Sequence, residues 1–213
     1  MAIKYFISLL FLLSVVLFRA QEIRLSSSAQ KVSDWEQIVN QQVDIKSDIV
    51  SAKKFLQPLI NRGSKSDFVL YDLLLAHAYA KNKDELNDKS NYYYTKSIRL
   101  ASESDLKSLE VWATLNYASY LYNYRQIAKA LPVFLEAIGK IEKMDSNEIL
   151  FPGESFTKIG FYMDTIGDDT EAISYLKKAR QYTKPKTSEY AAILDNLGMS
   201  YFKKGDLKNA EKN

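Results

Sequence analysis

One histidine, no cysteine and a few paired carboxylates are what this chain of 213 residues offers to catalysis or metal binding. Zinc sites of the nitrogen and sulfur type draw several ligands from His and Cys. His77 alone cannot supply such a set. A serine triad or a Cys–His pair would have to recruit His77, and no nucleophile-elbow sequence accompanies it. His77 therefore reads as a partly exposed helix residue. The groups Asp168-Asp169 with Glu171, and Asp84-Glu85, could exchange protons in general acid–base chemistry. Both stand where a helix is expected to begin. There a carboxylate accepts from free amides and faces the positive end of the helix dipole, so capping accounts for them. The 7 glycines are too scattered to form a phosphate-cradling loop. These residues point to a chain that is not an enzyme and carries no cofactor.

Charge excludes another class. Of 29 basic residues, Lys4 and Arg19 fall in the first twenty, where there is no acid, so against 26 acids the remaining chain stands one positive charge from neutral. That balance does not supply the basic footprint of nucleic-acid binding. The same first twenty residues read as an export signal. Lys4 precedes the apolar run Tyr5–Phe18 (YFISLLFLLSVVLF), too short to span a bilayer comfortably and the right length for a signal core. Cleavage is expected after Ala20. Phe18 stands where a small residue is preferred, so an uncleaved membrane anchor is the alternative. With no cysteine the chain lacks both a lipid-attachment site and disulfide staples, and its stability must come from packing.

The elements that would position any site are helices. With only 7 Gly and 4 Pro and 46% hydrophobic residues, the composition suits long helices around a sizeable core. Residues 21–33 are polar and Ser-rich and read as a flexible leader. From Asp34 onward apolar residues recur at three- and four-residue spacings, and no stretch sustains two-residue alternation. Trp35, Ile38, Val39 and Val43 form one stripe; Ile49, Ala52, Phe55, Leu56, Leu59 and Ile60 form a second, closed by Gly63. Residues 34–62 are thus expected to form an N-terminal helical hairpin.

A register then repeats. Ile159-Gly160, Gly167-Asp168 and Ala172 recur as Leu197-Gly198, Gly205-Asp206 and Ala210, each displaced by 38 residues. Ala118 and Ala130 keep the same 12-residue spacing as Gly160 and Ala172; Ala76 and Ser90 stand 14 apart. A small residue on one helix lets the next backbone approach, with Ala opposite and large side chains a turn away filling the groove. Gly167 and Gly205 are expected to end the first helix of each pair, and Asp168 and Asp206 to cap the second.

These residues resemble the tetratricopeptide repeat family, whose pattern runs aromatic-x-x-Leu-Gly-x-x-Tyr, then Ala-x-x-x-Phe, then Pro. Leu194-x-x-Leu197-Gly198-x-x-Tyr201 with Ala210 is the nearest copy. Phe156-x-x-Ile159-Gly160-x-x-Met163 follows, with Ala172, Leu176, Ala179 and Pro185. Tyr117-Ala118-x-x-Leu121 with Ala130 and Phe134 lacks both glycines, and Leu75-Ala76-x-x-Tyr79 with Ser90 and Tyr94 departs furthest. The resemblance implies an all-α fold, an α-solenoid of antiparallel helix hairpins forming a superhelix. Repeats are expected at 66–101, 105–144 and 153–184, with an incomplete one at 187–213. Surplus length falls in linkers such as Met144–Pro152. Ending inside a repeat leads us to expect an N-terminal portion of a longer chain, because solenoids normally close with a polar cap.

The resemblance also implies a site. In the family the first helices line a concave groove, with residues beside and one turn beyond the small residue facing it. Carried over, those are His77, Ala80 and Lys81; Ser119, Tyr122 and Asn123; Phe161, Asp164 and Thr165; and Met199, Phe202 and Lys203. Asn116, Lys158 and Asn196, just before, would add polar contacts. The full basic clamp with which chaperone-binding members hold a C-terminal carboxylate is absent. The expected function is an exported, periplasmic scaffold that binds a protein or peptide. The alternative is the input region of a membrane-anchored sensor, with a further transmembrane span and a helix-turn-helix or histidine-kinase output. A membrane role would arise only from an uncleaved N-terminus or such a span.

Overall fold

The computed structural model describes residues 49–82 and 86–213, and for Lys81 and Asn82 the backbone alone. The signal segment, the leader and the stripe from Trp35 to Val43 lie outside the described residues. The rest is helical throughout: α1 (Ile49–Arg62), α2 (Lys65–Asn82), α3 (Asp88–Glu103), α4 (Lys107–Asn123), α5 (Ile127–Ile141), α6 (Pro152–Thr165), α7 (Asp169–Tyr182), α8 (Ser188–Lys203) and the single turn α9 (Leu207–Ala210). No strand occurs among the described residues. Consecutive helices pack on one another, and α2–α3, α4–α5 and α6–α7 form hairpins. The fold is all-α, an α-solenoid of helix hairpins.

Apolar spacing sets which face of each helix is buried. On α1 the stripe Ala52, Leu56, Leu59 is buried, and Gly63 ends it at φ 71°. On α3 a narrow stripe of Ser90, Tyr94, Ser97 and Ala101 is buried. By contrast α4 buries residues on nearly every side, Trp112, Leu115, Ala118 and Leu121 among them. It lies between α3 and α5 and also touches α2 and α6. A large apolar side chain moved into such a core contributes about 1.5–3 kcal/mol, so α4 is a main source of stability. Asp72 is buried in the α2–α3 hairpin, where Lys96 donates to it at 2.9 Å. Burial pushes its carboxyl above the usual range and Lys96 opposes the shift.

Four turns share one geometry. The last helical residues are followed by one residue with left-handed φ: Asp105 (53°), Arg125 (58°), Gly167 (85°) and Gly205 (79°). In each, that residue's amide donates to the carbonyl three residues back. The next amide reaches five back, as in Gln126 to Leu121, Asp168 to Met163 and Asp206 to Tyr201, all at 2.9 Å. Two carbonyls that helix ends would leave unpaired are thereby satisfied. The sequence marks this turn only where it is Gly. Asp168 and Asp206 then accept from the amides of Glu171 (3.1 Å) and Asn209 (3.2 Å), as capping requires.

The small-residue register brings helices together, with one correction. Ser90 Oγ donates to the Ala76 carbonyl at 3.2 Å, Ala118 and Ala130 are fully buried, and a Cβ on Gly198 would lie 3.4 Å from the Ala210 carbonyl. At Gly160, however, a Cβ would meet Leu176 Cγ at 2.7 Å and the Leu176 backbone nitrogen at 3.2 Å. Its nearest neighbour is thus one turn beyond Ala172, the residue expected opposite it. Between α5 and α6 the linker packs: Ile149 and Leu150 are buried, and the Phe151 ring sits 5.2 Å from that of Trp112.

Candidate functional site

The first helices of successive hairpins, α2, α4, α6 and α8, touch one another directly, whereas α3, α5 and α7 are held apart by them. The stack therefore closes on the first-helix side, which makes that side the inner one. Every carried-over residue lies on these four helices. Their side chains fall into three kinds.

One kind is already engaged within the scaffold. Asn116 is buried; its Nδ2 donates to the Trp112 carbonyl at 2.9 Å and its Oδ1 accepts from Lys158 Nζ at 2.7 Å. Lys158 also pairs with Glu154 one turn earlier on α6. Asn196 Nδ2 donates to the Ala192 carbonyl of its own helix at 2.8 Å. These three were expected to offer polar contacts to a ligand. The structure instead joins α4 to α6 through the Lys158–Asn116 bond and engages the other Asn116 group and a second bond of Lys158 within their own helices, so a ligand would have to compete for them. His77 is partly buried, its ring 5.5 Å from that of Tyr94 on α3. It too packs into its own hairpin. Ser119 is partly buried on α4, and the side chain of Lys81 lies outside the described residues.

A second kind bridges neighbouring first helices at the surface. The rings of Tyr122 and Phe161 meet edge to face, 5.8 Å apart at 90°. Thr165 Oγ1 donates to the Phe161 carbonyl at 2.9 Å, which leaves it to accept from the Tyr122 hydroxyl at 3.3 Å. One helix along, Asp164 takes Lys203 Nζ at 2.7 Å and lies 3.0 Å from Ser200 Oγ. Sequence reasoning missed Glu154 and Ser200. Glu154 stands four residues before Lys158, a spacing at which opposite charges meet on a helix, so that pairing was legible; Ser200 carried no signal.

The third kind is large, apolar and turned to solvent. Phe161 is 43% exposed, Met199 54% and Phe202 62%. The last two are three residues apart on α8, hence on one face. With Tyr122 they form an apolar surface across α4, α6 and α8, edged by the neutral pair Asp164–Lys203. Chemically this surface can bury apolar side chains. Among the described residues no group of three or more His, Cys, Asp or Glu is placed to hold a metal. No described helix is long and apolar enough to cross a membrane.

No protein-family model matches the chain, and no curated protein sequence matches it. Solved structures do. BtubC (BKLC) from P. vanneervenii is similar over 91% of this chain and 85% of that one, with a TM-score of 0.59 at 17% identity. That likeness establishes the fold. NprR, solved in complex with its cognate peptide NprX, aligns over 90% of this chain and 65% of that one with a TM-score of only 0.38 at 14% identity. Nothing further follows from so loose a match.

Proposed function

We propose that this chain is a tetratricopeptide-type scaffold, not an enzyme, which binds a protein or peptide on its inner face. Phe161, Met199 and Phe202 carry the reading. Apolar side chains clustered at a surface and left in water mark a place that a partner can cover. These three stand on the side where first helices converge, beside the half-buried ring of Tyr122. Aromatic anchors bury much area while losing few rotamers, which suits them to dominate an interface. The repeating register of Ala118, Gly160 and Gly198 supports the family reading. Lys4 and the apolar run after it support export, so the partner would be met outside the cytoplasm.

The test is a displayed random-peptide library panned on the protein and re-panned on folded Phe161→Ala and Phe202→Ala variants. Each truncation is expected to weaken enriched peptides by about 2 kcal/mol while leaving the unfolding midpoint nearly unchanged, because both rings are exposed. Equal retention by wild type and both variants would end the inner-face reading.

A further inference from the structure

A pocket lies away from the inner face, where the linker after α5 separates two hairpins. It encloses about 300 Å³ between the end of α5, the linker, Phe156 of α6 and the C-terminal half of α7. Three aromatic rings wall it: Phe156 stands 6.2 Å from Tyr175 and 5.9 Å from Tyr182. Tyr175 donates to the Glu142 carboxylate at 3.0 Å, which fixes a negative charge at the rim. The protein already places a cation here. Lys178 Nζ lies 4.7 Å from the centre of the Tyr175 ring and 5.8 Å from that of Phe156. Lys178 itself is exposed and can swing into water.

We propose that this pocket binds a small quaternary ammonium compound, which takes the place of the Lys178 ammonium. Ring faces carry the negative side of the aromatic quadrupole and attract cations, and such cages suit quaternary ammonium groups. The lysine ammonium is a compact, strongly hydrated charge, so holding it against rings costs more desolvation than holding a methylated cation. Glu142 supplies the compensating charge. The size is at the small end of ligand pockets, which fits a compact cation rather than a peptide.

Tetramethylammonium chloride titrated into the whole chain, against sodium chloride at equal ionic strength, tests this by the ring-proton NMR shifts of Phe156, Tyr175 and Tyr182. Saturable shifts of all three rings are expected. Lys178→Met, which removes the resident cation, should tighten binding about threefold to tenfold. Glu142→Gln and Tyr182→Leu, both at exposed positions, should each weaken it by a similar factor. Absence of saturable shifts would overturn the proposal. So would weaker binding in Lys178→Met, which would show that Lys178 does not compete with the cation for the rings, or benzoate binding that Lys178→Met abolishes, which would make Lys178 the receptor of an anion.

Discussion

Between α4 and α5 the chain turns through Tyr124, Arg125 and Gln126; between α6 and α7 it turns through Ile166, Gly167 and Asp168. Both turns place the middle residue at left-handed φ and both pair the following amide five residues back at 2.9 Å. Their local chemistry differs at each step. One uses Arg where the other uses Gly, and Gln126 makes no side-chain cap where Asp168 caps Glu171. Both hairpins also place a small residue on the first helix. Ala118 is fully buried, and Gly160 meets Leu176 more closely than any Cβ allows. The difference teaches that helix packing and the backbone bonds impose the turn. Glycine and aspartate lower its cost without defining it.

The comparison can be broken most decisively at Gly160. Gly160→Leu should lose about 3 kcal/mol or more in chemical denaturation, since overpacking a closed contact typically costs 1–3 kcal/mol and here backbone blocks retreat. Gly139→Leu on α5, where a Cβ meets nothing within 4 Å, should be neutral or stabilising; equal losses at both glycines would show that no close contact exists. Next come the turn residues, with opposite signs. Gly167→Ala should cost about 1–2 kcal/mol, the penalty of left-handed backbone for a residue with a Cβ. Arg125→Gly should raise stability by up to about 1 kcal/mol, because relief of that strain exceeds glycine's added chain entropy. If both substitutions destabilise, Arg125 is held by contacts of its side chain. The caps give the smallest pair: Asp168→Ala should lower the free energy of unfolding by about 1 kcal/mol in chemical denaturation, and Gln126→Asp should raise it by a fraction of that.

Much of this fold was legible because it is local. The spacing of Ala52, Leu56 and Leu59 fixes a helix face, and Gly167-Asp168 announces an end followed by a start. Arg125 and Asp105 gave no such signal, since left-handed φ there is imposed by bonds that exist only once both helices are packed. The partner of Gly160 was misread by one turn because spacing sets which residues share a face, whereas the rotation of one helix against another depends on all side chains in the contact. The candidate residues were legible as members of first helices, but their polar pairings were not. That Asn116 and Lys158 meet, 42 residues apart in sequence, is a product of stacking, and it turned two expected ligand contacts into part of the wall.

Tyr120 of α4 and Tyr124 in the turn after it reach back to the preceding hairpin: the Asn87 amide donates to Tyr120 Oη at 2.9 Å, and Tyr124 donates to the Ala80 carbonyl at 2.8 Å, across 44 residues. During synthesis those groups of the α2–α3 hairpin must wait for α4. At about 5–20 residues per second the delay is about 2–9 s, during which Ala80 and Asn87 lack these two tyrosine partners. A nascent chain stalled before Tyr124 should then be cleaved by protease near this hairpin, and one stalled well beyond it should resist. The α2–α3 hairpin is therefore completed by residues that the ribosome adds later.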